Sequence, residues 1–470
     1  MKSSSQYKSL IGDTLIFALG SVGSKLIMFL LVPFYTHYLT TDEYGTAELV
    51  FTVAQLAIPF FSVVIFDAVV RFALMRKHRP QDVLLVGAWV WLLGTAAAVI
   101  LTPLFGLYGS IAEWKWYITA YVSLNMLLSI ELNYLKATDR NLAYSLICIF
   151  QTLALACLNI LFVAGRKMGV QGYLISYIGA NFLAVLAAFF WGRVPRQLKT
   201  AAWDKALMRQ MVVYSAPLIL NNLSWWVVQS SDKLMLESMI DAEALALYTV
   251  AAKMPSLISV FVTIFQQAWG ISSIKEMDST NDAGFYTNVF TVYSFLAFLG
   301  CIGLCAITKP FMAVYVTESA YQTAWRYVPL LLVSAVYSAL AAYCGGMYGA
   351  LKKSVNNMLS TLMAAVVNII VNYLGILWWG IWGAMVGTVV SYVLLAFIRM
   401  ADIRRFVPIQ FAWDKLAINT ALVLGQAAAV SFLTPAQGYF LSGMAFLLFA
   451  VINADELRQM KDRILKRGVR

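Results

Sequence analysis

The chain has 470 residues, of which 61% are hydrophobic and only 12% carry a charge. This charged fraction is about half that of a typical soluble domain, and apolar runs of about 20 residues recur throughout, so a water-soluble globule is excluded. The net charge of +11 would favour nucleic-acid binding in a soluble protein. Here the basic residues separate the apolar runs, so we interpret them as determinants of membrane topology and expect no nucleic acid as a partner.

Fourteen membrane-spanning helices are predicted, because about 20 apolar residues are enough to cross the roughly 30 Å of hydrocarbon in a bilayer. The predicted fold class is therefore an all-α polytopic membrane protein. In chain order the spans cover residues 12–35, 43–66, 83–104, 116–136, 142–164, 170–191, 213–237, 244–269, 286–308, 323–347, 356–377, 381–400, 413–433 and 438–454. The first apolar stretch is too long for a signal peptide and has no small-residue cleavage site, so we expect it to remain as a span.

The basic residues also predict how the spans are oriented. If the N-terminus is cytoplasmic, most of the 34 lysines and arginines lie in cytoplasmic connections, as the positive-inside rule requires. These clusters are Arg71–Arg79, Lys136/Arg140, Arg193–Arg209, Lys352/Lys353, Arg399–Arg405 and Arg458–Arg470. Arg166 and Lys167 lie in a short loop that this orientation places outside the cytoplasm, and they are an exception to the rule. Tryptophans at the span ends, Trp269 among them, are typical of an aromatic belt. We therefore expect a multi-pass protein of the bacterial inner membrane with both termini in the cytoplasm.

A sequence pattern in spans five and six recurs in spans eleven and twelve, about 210 residues later. Asn159, Gly169–Gly172 and Ser176–Tyr177 are matched, in the same order, by Asn368, Gly380–Gly383 and Ser391–Tyr392. Six spans per copy is an even number, so both copies would enter the membrane from the same side, and transporters built in this way bind substrate between the halves. The predicted domains are a six-helix bundle at 1–192, a basic cytoplasmic linker at 193–212, a second six-helix bundle at 213–400, and two additional helices with a basic tail at 401–470.

Polar residues aligned along one side of a span indicate a helix face that meets water or a polar partner, because lipid does not solvate them. Such faces occur on spans one, two, seven and eight, which are the first two helices of each half. Their members are Thr14, Ser21, Lys25 and Thr36; Glu48, Thr52, Gln55 and Ser62; Asn222, Trp226, Gln229, Lys233 and Glu237; and Thr249, Lys253, Ser256, Thr263 and Gln267. Four helices with such faces would enclose one water-filled cavity.

The lysines on these faces predict the charge of the cargo. Lys25 and Lys253 have no acidic residue three or four positions away, so we favour substrate binding over pairing with a glutamate or aspartate of another helix. Ammonium groups suit an anionic cargo such as a diphosphate. The predicted cationic site comprises Lys25, Lys253, Lys233 and Arg71. The residues predicted to line the cavity or to couple transport to a proton or sodium ion are Glu48, Gln55, Glu131, Asn222, Trp226, Gln229, Asp232, Glu237, Ser256 and Gln267.

Local interactions offer a simpler explanation for some of these residues. Lys233 can pair with Glu237 on its own helix, and Arg71 can pair with Asp67. Trp226 could stack on a sugar, but helix packing is the more common role of such a side chain. The chain has only two histidines and no cluster of metal-ligating residues, so neither a metal site nor another cofactor is expected.

Several short motifs, in their order and spacing, resemble those of polysaccharide-repeat flippases, a family of the multidrug/oligosaccharidyl-lipid/polysaccharide exporter superfamily. They are Leu31–Pro33, Glu43–Gly45, Tyr214–Pro217, Ser230–Lys233, Lys253–Pro255, Gln267–Trp269 and Gly380–Ala384. The resemblance implies two six-helix bundles plus two helices, alternating access, and transfer of undecaprenyl-diphosphate-linked oligosaccharide from the cytoplasmic to the outer leaflet. Such cargo supplies surface polysaccharides such as O-antigen or capsule, with polysaccharide polymerase machinery as a further expected partner.

An enzyme, an antiporter and a flippase for a different cargo are the rival interpretations of this sequence. An enzyme of the same pathway would need a sizeable outside loop carrying catalytic groups, and the longest predicted one, Lys309–Gln322, is too short. No G-x-x-x-x-G-K-[ST] motif occurs, so the chain is not expected to hydrolyse ATP. A drug/cation antiporter of the same superfamily would favour acidic cavities, whereas lysines stand out here. A flippase for a peptidoglycan or teichoic acid precursor would use the same mechanism and stays open.

Overall fold

The structure is a computed structural model, which describes residues 23–25, 27–74, 78–278, 283–316, 318–351 and 353–458. Within these ranges the regular structure is helical and contains no β-strand. The first helix, α1, comprises residues 23–25 and 27–38. The side chain of Gln267 and the stripe residues Thr14 and Ser21 lie outside the described residues.

Sixteen further helices follow α1 in the described part of the chain. They are α2 Thr41–Ser62, α3 Ile65–Leu74, α4 Pro80–Phe105, α5 Lys115–Ala137, α6 Asn141–Asn159, α7 Gly169–Trp191, α8 Val194–Lys199, α9 Lys205–Met239, α10 Ala242–Ala251, α11 Ser256–Asp278, α12 Ala283–Tyr315, α13 Val328–Ala350, α14 Ser354–Trp379, α15 Ile381–Ile403, α16 Trp413–Phe432 and α17 Pro435–Ile452. Short 3-10 helices occupy Gly109–Trp114 and Ser319–Arg326, and a π-helical turn, Ile160–Gly165, extends α6.

Among the described residues, eleven helices are long and apolar enough to cross a membrane, and the bent pair α10–α11 makes a twelfth. The predicted fold class is confirmed: this is an all-α, multi-pass membrane protein. The 23-residue α5 occupies the position of the predicted fourth span, and the predicted first span lies largely outside the described residues. The total of fourteen spans therefore stays a prediction.

The repeated sequence pattern marks the same backbone feature in both places. Gly169 and Gly380 both have positive φ, of 53° and 58°, and each precedes or begins a long helix. Three residues later, Gly172 and Gly383 both lie close to the preceding helix: a Cβ on Gly172 would crowd the backbone of Phe162, and one on Gly383 would overlap that of Gly375. Only glycine reverses the chain and packs this tightly without strain.

The chain divides into two compact units, of which the first comprises Met1–Trp226 and Asp241–Ala246. Its largest core cluster joins α3, α4 and α5 through buried residues such as Val69, Val83 and Ile130, and the beginning of α9 contributes Leu207 and Met211. A second cluster joins α5, α6 and α7. The last part of the predicted linker, 205–212, is therefore the beginning of α9, and it packs in the first core.

The second unit comprises Val227–Ile240 and Leu247–Arg470. Arg399, a member of one predicted cytoplasmic cluster, is buried, with 1% of its surface exposed. Its guanidinium group donates hydrogen bonds to the Ala341 carbonyl oxygen of α13 at 2.9 Å and to Asn357 Oδ1 and Thr361 Oγ1 of α14 at 2.5 and 2.9 Å. One side chain of α15 thus connects three helices.

The expectation that Trp269 belongs to an aromatic belt is wrong. Trp269 is 2% exposed, its ring stacks on Tyr343 with the centroids 4.5 Å apart, and its Nε1 donates to the Tyr343 carbonyl oxygen at 3.1 Å. The indole is therefore part of the core between α11 and α13. Its position at the end of a predicted span could not distinguish this packing from a place at the membrane surface.

Candidate functional site

A break in the helix pair α10–α11 places Lys253 in a short non-helical segment. The two helices meet at 51° across residues 252–255, because Pro255 has no N–H to continue the helical hydrogen bonds and its ring disfavours the preceding turn. Ser256 begins the second helix, and its Oγ donates to the Lys253 carbonyl oxygen at 2.5 Å. Lys253 is half-buried at this break. Two residues predicted from sequence, Lys253 and Ser256, are thus brought together.

Asp232 lies at the centre of a buried polar cluster that connects α9, α10 and α15. Its Oδ2 accepts hydrogen bonds from the hydroxyl groups of Tyr248 and Thr388, the latter at 3.2 Å. Its Oδ1 accepts from the backbone N–H of Lys233 at 2.9 Å. The carboxylate is 2% exposed. Tyr248 is five residues before Lys253, so this cluster lies on the helix that leads into the break.

A second group of polar side chains links α9 to α14. Ser231 Oγ donates to Asn368 Oδ1 at 2.8 Å, and Asn372 Nδ2 donates to the same oxygen at 3.0 Å. All three residues are buried. Within the described part of the chain, Asn368 Nδ2 and Asn372 Oδ1 have no hydrogen-bond partner, although buried amides normally satisfy both groups. A Cβ on Gly387 would overlap Asn372 Oδ1, so this oxygen lies against α15 one residue before Thr388.

Tyr248, Thr388 and Asn372 were not predicted as site residues. A signal for two asparagines was present, because Asn368 and Asn372 are four residues apart and so share one face of α14. The repeat in the sequence marks Asn368 but assigns it no place in a site. Nothing in the periodicity of α15 indicated that Thr388 would face the carboxylate of a helix more than 150 residues earlier in the chain.

The other predicted residues of α9 have varied environments. Asn222 donates to the Leu218 carbonyl oxygen of its own helix at 3.0 Å. Trp226 is half-buried, and its Nε1 has no hydrogen-bond partner among the described residues. Gln229 is exposed, and Lys233 and Glu237 are half-buried. The pairing of Lys233 with Glu237 stays a prediction.

In the first unit, the buried Glu48 of α2 contacts a group of tyrosines. Tyr173 donates its hydroxyl to Glu48 Oε1 at 3.2 Å, and the Tyr173 ring packs against Tyr35 and Tyr177 with centroids 4.9 and 4.8 Å away. Each unit therefore contains a buried carboxylate that accepts a hydrogen bond from the helix following a repeat glycine, α7 for Glu48 and α15 for Asp232.

The remaining predicted residues of the first unit do not form one cluster. Lys25 is exposed on α1. Gln55 Nε2 donates to the Tyr121 hydroxyl at 3.2 Å. Glu131 is buried, and its Oε2 has no hydrogen-bond partner among the described residues. Arg71 is exposed, with its guanidinium carbon 4.3 Å from the centre of the Tyr214 ring.

Comparison with known proteins identifies one family and one common fold. A family profile described as polysaccharide biosynthesis protein matches residues 10–270. An uncharacterized membrane protein of Haemophilus influenzae is 21% identical over 263 residues, which cover 55% of this chain and 64% of that relative. The chain therefore spans less than two thirds of the length of the curated relative that it matches.

Two solved transporters show the fold. The lipid II flippase MurJ, in an inward-closed conformation, superposes with a TM-score of 0.72 at 10% identity over 94% of this chain and all of that one. The Vibrio cholerae MATE transporter VcmN superposes with a TM-score of 0.60 at 14% identity over 86% of this chain and 98% of that one. At these identities the similarity establishes a common fold and nothing about the cargo.

Proposed function

The chain belongs to the polysaccharide biosynthesis protein family, and on this premise we propose that it is a flippase for undecaprenyl-diphosphate-linked oligosaccharide. It would move the repeat unit from the cytoplasmic to the outer leaflet of the bacterial inner membrane by alternating access, coupled to a proton or sodium ion. Both termini would lie in the cytoplasm, and the product would supply O-antigen, capsule or a similar surface polysaccharide to polymerase machinery.

The observation that carries this proposal is the broken helix at Lys253. Transporters commonly bind substrate where a membrane helix is interrupted, because the break leaves backbone groups and side chains available to a ligand inside the bilayer. Among the described residues, α10–α11 is the one helix pair bent in this way within a span. Lys253 places an ammonium group at the break, and such a group complements a diphosphate. Lys25, Lys233 and Arg71 are proposed to contact the anion during other stages of transport.

The Asp232 cluster supports coupling to a cation. A buried carboxylate together with hydroxyl and amide oxygens can accept either a proton or a small hard cation such as sodium, whose preferred ligands are oxygens. Asp232, Thr388 and Asn372 supply such oxygens from three different helices. Tyr248 donates a hydrogen bond to Asp232 and lies on α10, the helix that leads to Lys253. A change in the charge of Asp232 would therefore alter a contact of the helix that ends at the proposed cargo site. Glu48 is the corresponding candidate in the first unit.

Two alternative functions are compatible with the same fold. MATE transporters share it, which keeps a drug/cation antiporter as one alternative, and MurJ shares it, which keeps a flippase for a peptidoglycan precursor as the other. A cationic side chain at the break argues against a cationic drug, because like charges repel. The match to the polysaccharide biosynthesis family argues for a polysaccharide repeat unit over a peptidoglycan precursor.

Deletion of the gene tests the proposed cargo. We expect a lipid-linked oligosaccharide to accumulate on the cytoplasmic leaflet, detected by mass spectrometry of extracted lipids from intact and lysed spheroplasts. Expression of Lys253→Ala should restore export only weakly, and Lys253→Arg, which keeps the charge, should restore more. Lys353→Ala is the matched control, because Lys353 is an exposed lysine between two other helices of the same unit.

Each outcome of this experiment has a distinct meaning. If no lipid-linked oligosaccharide accumulates in the deletion strain, the flippase proposal is wrong. If accumulation occurs but Lys253→Ala restores export fully, the flippase proposal holds and the site assignment is wrong. If the deletion instead sensitises cells to cationic drugs without any accumulated lipid, the antiporter is the better interpretation.

A further inference from the structure

An apolar groove lies on the surface of the second unit, where α16 meets α13, α14 and α15. It has a volume of about 550 Å³. Six of its lining residues are Leu330, Trp379, Trp382, Val386, Ala428 and Phe432. Trp379 and Phe432 are more than 60% exposed, so the groove opens toward the surroundings of the protein. Because the groove is apolar and lies on the side of membrane-spanning helices, the natural occupant of the groove is a hydrocarbon chain.

A second groove of about 570 Å³ continues along the same helix toward its other end. It is lined by Phe397, Trp413 and Thr420, among others, and Leu424 lines both grooves where they meet. At about 1.5 Å per residue, the first groove runs about 12 Å along α16 from Leu424 to Phe432, and the second about 16 Å from Trp413 to Leu424. Each length is close to one leaflet, about half of the 30 Å hydrocarbon core. The pair therefore fits one acyl chain from each leaflet better than a single long isoprenoid.

The end of the first groove is rich in aromatic and basic residues. Trp382 stacks on Phe432 and contacts Tyr327, with ring centroids 4.8 and 5.1 Å away. Ser431, which also lines the groove, donates its hydroxyl to the Arg326 carbonyl oxygen at 2.7 Å. Arg326 is exposed, and its guanidinium carbon is 5.6 Å from the centre of the Trp325 ring.

A second basic side chain, that of Lys309, lies beside the indole ring of Trp325. Its Nζ is 4.9 Å from the centre of that ring. Two basic side chains thus flank one tryptophan. Arg326 is joined to the apolar groove through the Ser431 hydrogen bond, whereas Lys309 and Trp325 line a separate small pocket between α12, α16 and α17. Aromatic rings at this level are typical of the membrane interface, and clustered basic residues beside membrane helices recognise anionic head groups.

We propose that this groove is a binding site for an anionic phospholipid, with an acyl chain between α15 and α16 and the phosphate at Arg326, with Lys309 beside it. Arginine suits this role because its planar fork can donate two hydrogen bonds to one phosphate. The lipid would cover the apolar surface between the second bundle and the two C-terminal helices. This site does not rest on the proposed cargo, because any membrane supplies the ligand.

Native mass spectrometry of the purified protein tests the site. The probes are phosphatidylglycerol and phosphatidylcholine with the same acyl chains. We expect the wild type to retain phosphatidylglycerol preferentially. Arg326→Gln should reduce that retention about fivefold, the effect of one basic residue near a head group, without changing phosphatidylcholine retention. Ala428→Trp should reduce retention of both lipids, because the indole fills the groove.

Two substitutions provide matched controls. Arg166 is another exposed arginine whose guanidinium carbon lies 5.6 Å from an aromatic ring, that of Phe162, so Arg166→Gln should leave lipid retention unchanged. Gly443 lies on α17 with open space around its Cβ position, so Gly443→Trp should also behave as wild type. If Ala428→Trp does not fold, Ala428→Leu is the milder filling variant.

Three results would overturn the proposal. The first is unchanged phosphatidylglycerol retention in Arg326→Gln, and the second is unchanged retention of both lipids in a folded Ala428 variant. The third is displacement of phosphatidylglycerol from the wild type by an equimolar amount of undecaprenyl diphosphate, which would assign the groove to an isoprenoid lipid. If a variant loses lipid retention but exports normally in cells, the lipid site stands, and transport does not require the bound lipid.

Discussion

Asp232 is a carboxylate on which three hydrogen bonds from two neighbouring helices and its own backbone converge. Its proposed role in cation coupling predicts that Asp232→Asn retains the fold and loses transport. The amide keeps the size and some hydrogen bonds but cannot take up a proton or neutralise a cation. We expect export to fall about tenfold or more, the effect of losing one charge-assisted interaction. The assay is accumulation of lipid-linked oligosaccharide in a complemented deletion strain.

Asp402→Asn is the matched control for this prediction. Asp402 Oδ2 also accepts hydrogen bonds from a tyrosine and an asparagine, Tyr348 and Asn356, both at 2.8 Å. A purely structural role for such carboxylates would make the two variants equally active. Comparison of export under an imposed proton gradient and under an imposed sodium gradient identifies the coupling ion. Normal export by Asp232→Asn under both gradients would refute the assignment.

Arg399 predicts a different consequence, because its side chain holds helices together. Arg399→Met fills a similar volume but leaves the buried acceptors on Ala341, Asn357 and Thr361 without this donor. We expect the free energy of unfolding to decrease by about 1–3 kcal/mol for the acceptors that remain unsatisfied. The measurement is the thermal unfolding midpoint in detergent. Arg405→Met is the control, since the side chain of Arg405 is 78% exposed, and surface changes usually have small effects.

At the scale of the helices, the tight turn between α14 and α15 depends on glycine. A Cβ on Gly383 would overlap the backbone of Gly375 on the preceding helix. Gly383→Ala should therefore separate the two helices and lower the free energy of unfolding by about 1–3 kcal/mol, the usual cost of overpacking. Gly443→Ala should have no such effect, because its Cβ would meet open space. Equal thermal midpoints for the two variants would contradict this account of the turn.

Local sequence features also explain why most helix boundaries could be predicted. Thr40 and Glu43 form a capping box at the start of α2, and Gly169 and Gly380 precede or begin helices with positive φ. These features arise from residues close together in sequence, so local patterns reveal them. The break between α10 and α11 was not predicted, although Pro255 was visible, because proline in a membrane helix is tolerated when neighbours satisfy the freed backbone groups.

At the scale of the whole molecule, the distribution of basic residues predicts the membrane topology. The loop at Arg166 and Lys167 is the place where that topology is least supported by charge, so it is the most informative position to probe. In a cysteine-free background, Lys167→Cys should react in intact cells with a membrane-impermeant maleimide. Lys353→Cys should react only after the cells are lysed. The reverse pattern would invert the predicted orientation and place both termini outside.

The amino-acid sequence by itself determined the class of the protein and most of its helices. Hydrophobicity and turn-forming residues act over a few to about 20 positions, and a membrane must be crossed by helices, so these features need no knowledge of distant residues. Helical periodicity also identified Asp232, Lys253 and Ser256 as polar residues within spans. It showed on which side of its own helix Asp232 lies, whereas Lys253 falls in the break between α10 and α11.

Only the tertiary structure decided which of these polar residues meet. Asp232 contacts Tyr248 and Thr388, which are 16 and 156 residues away in the chain. Arg399 is buried and donates hydrogen bonds to two other helices, α13 and α14. The rotation and neighbours of a helix depend on side-chain packing with the rest of the bundle, so periodicity cannot supply them. Lys25, Lys253 and Arg71 therefore shared one predicted role from sequence, while the fold gives each a different environment.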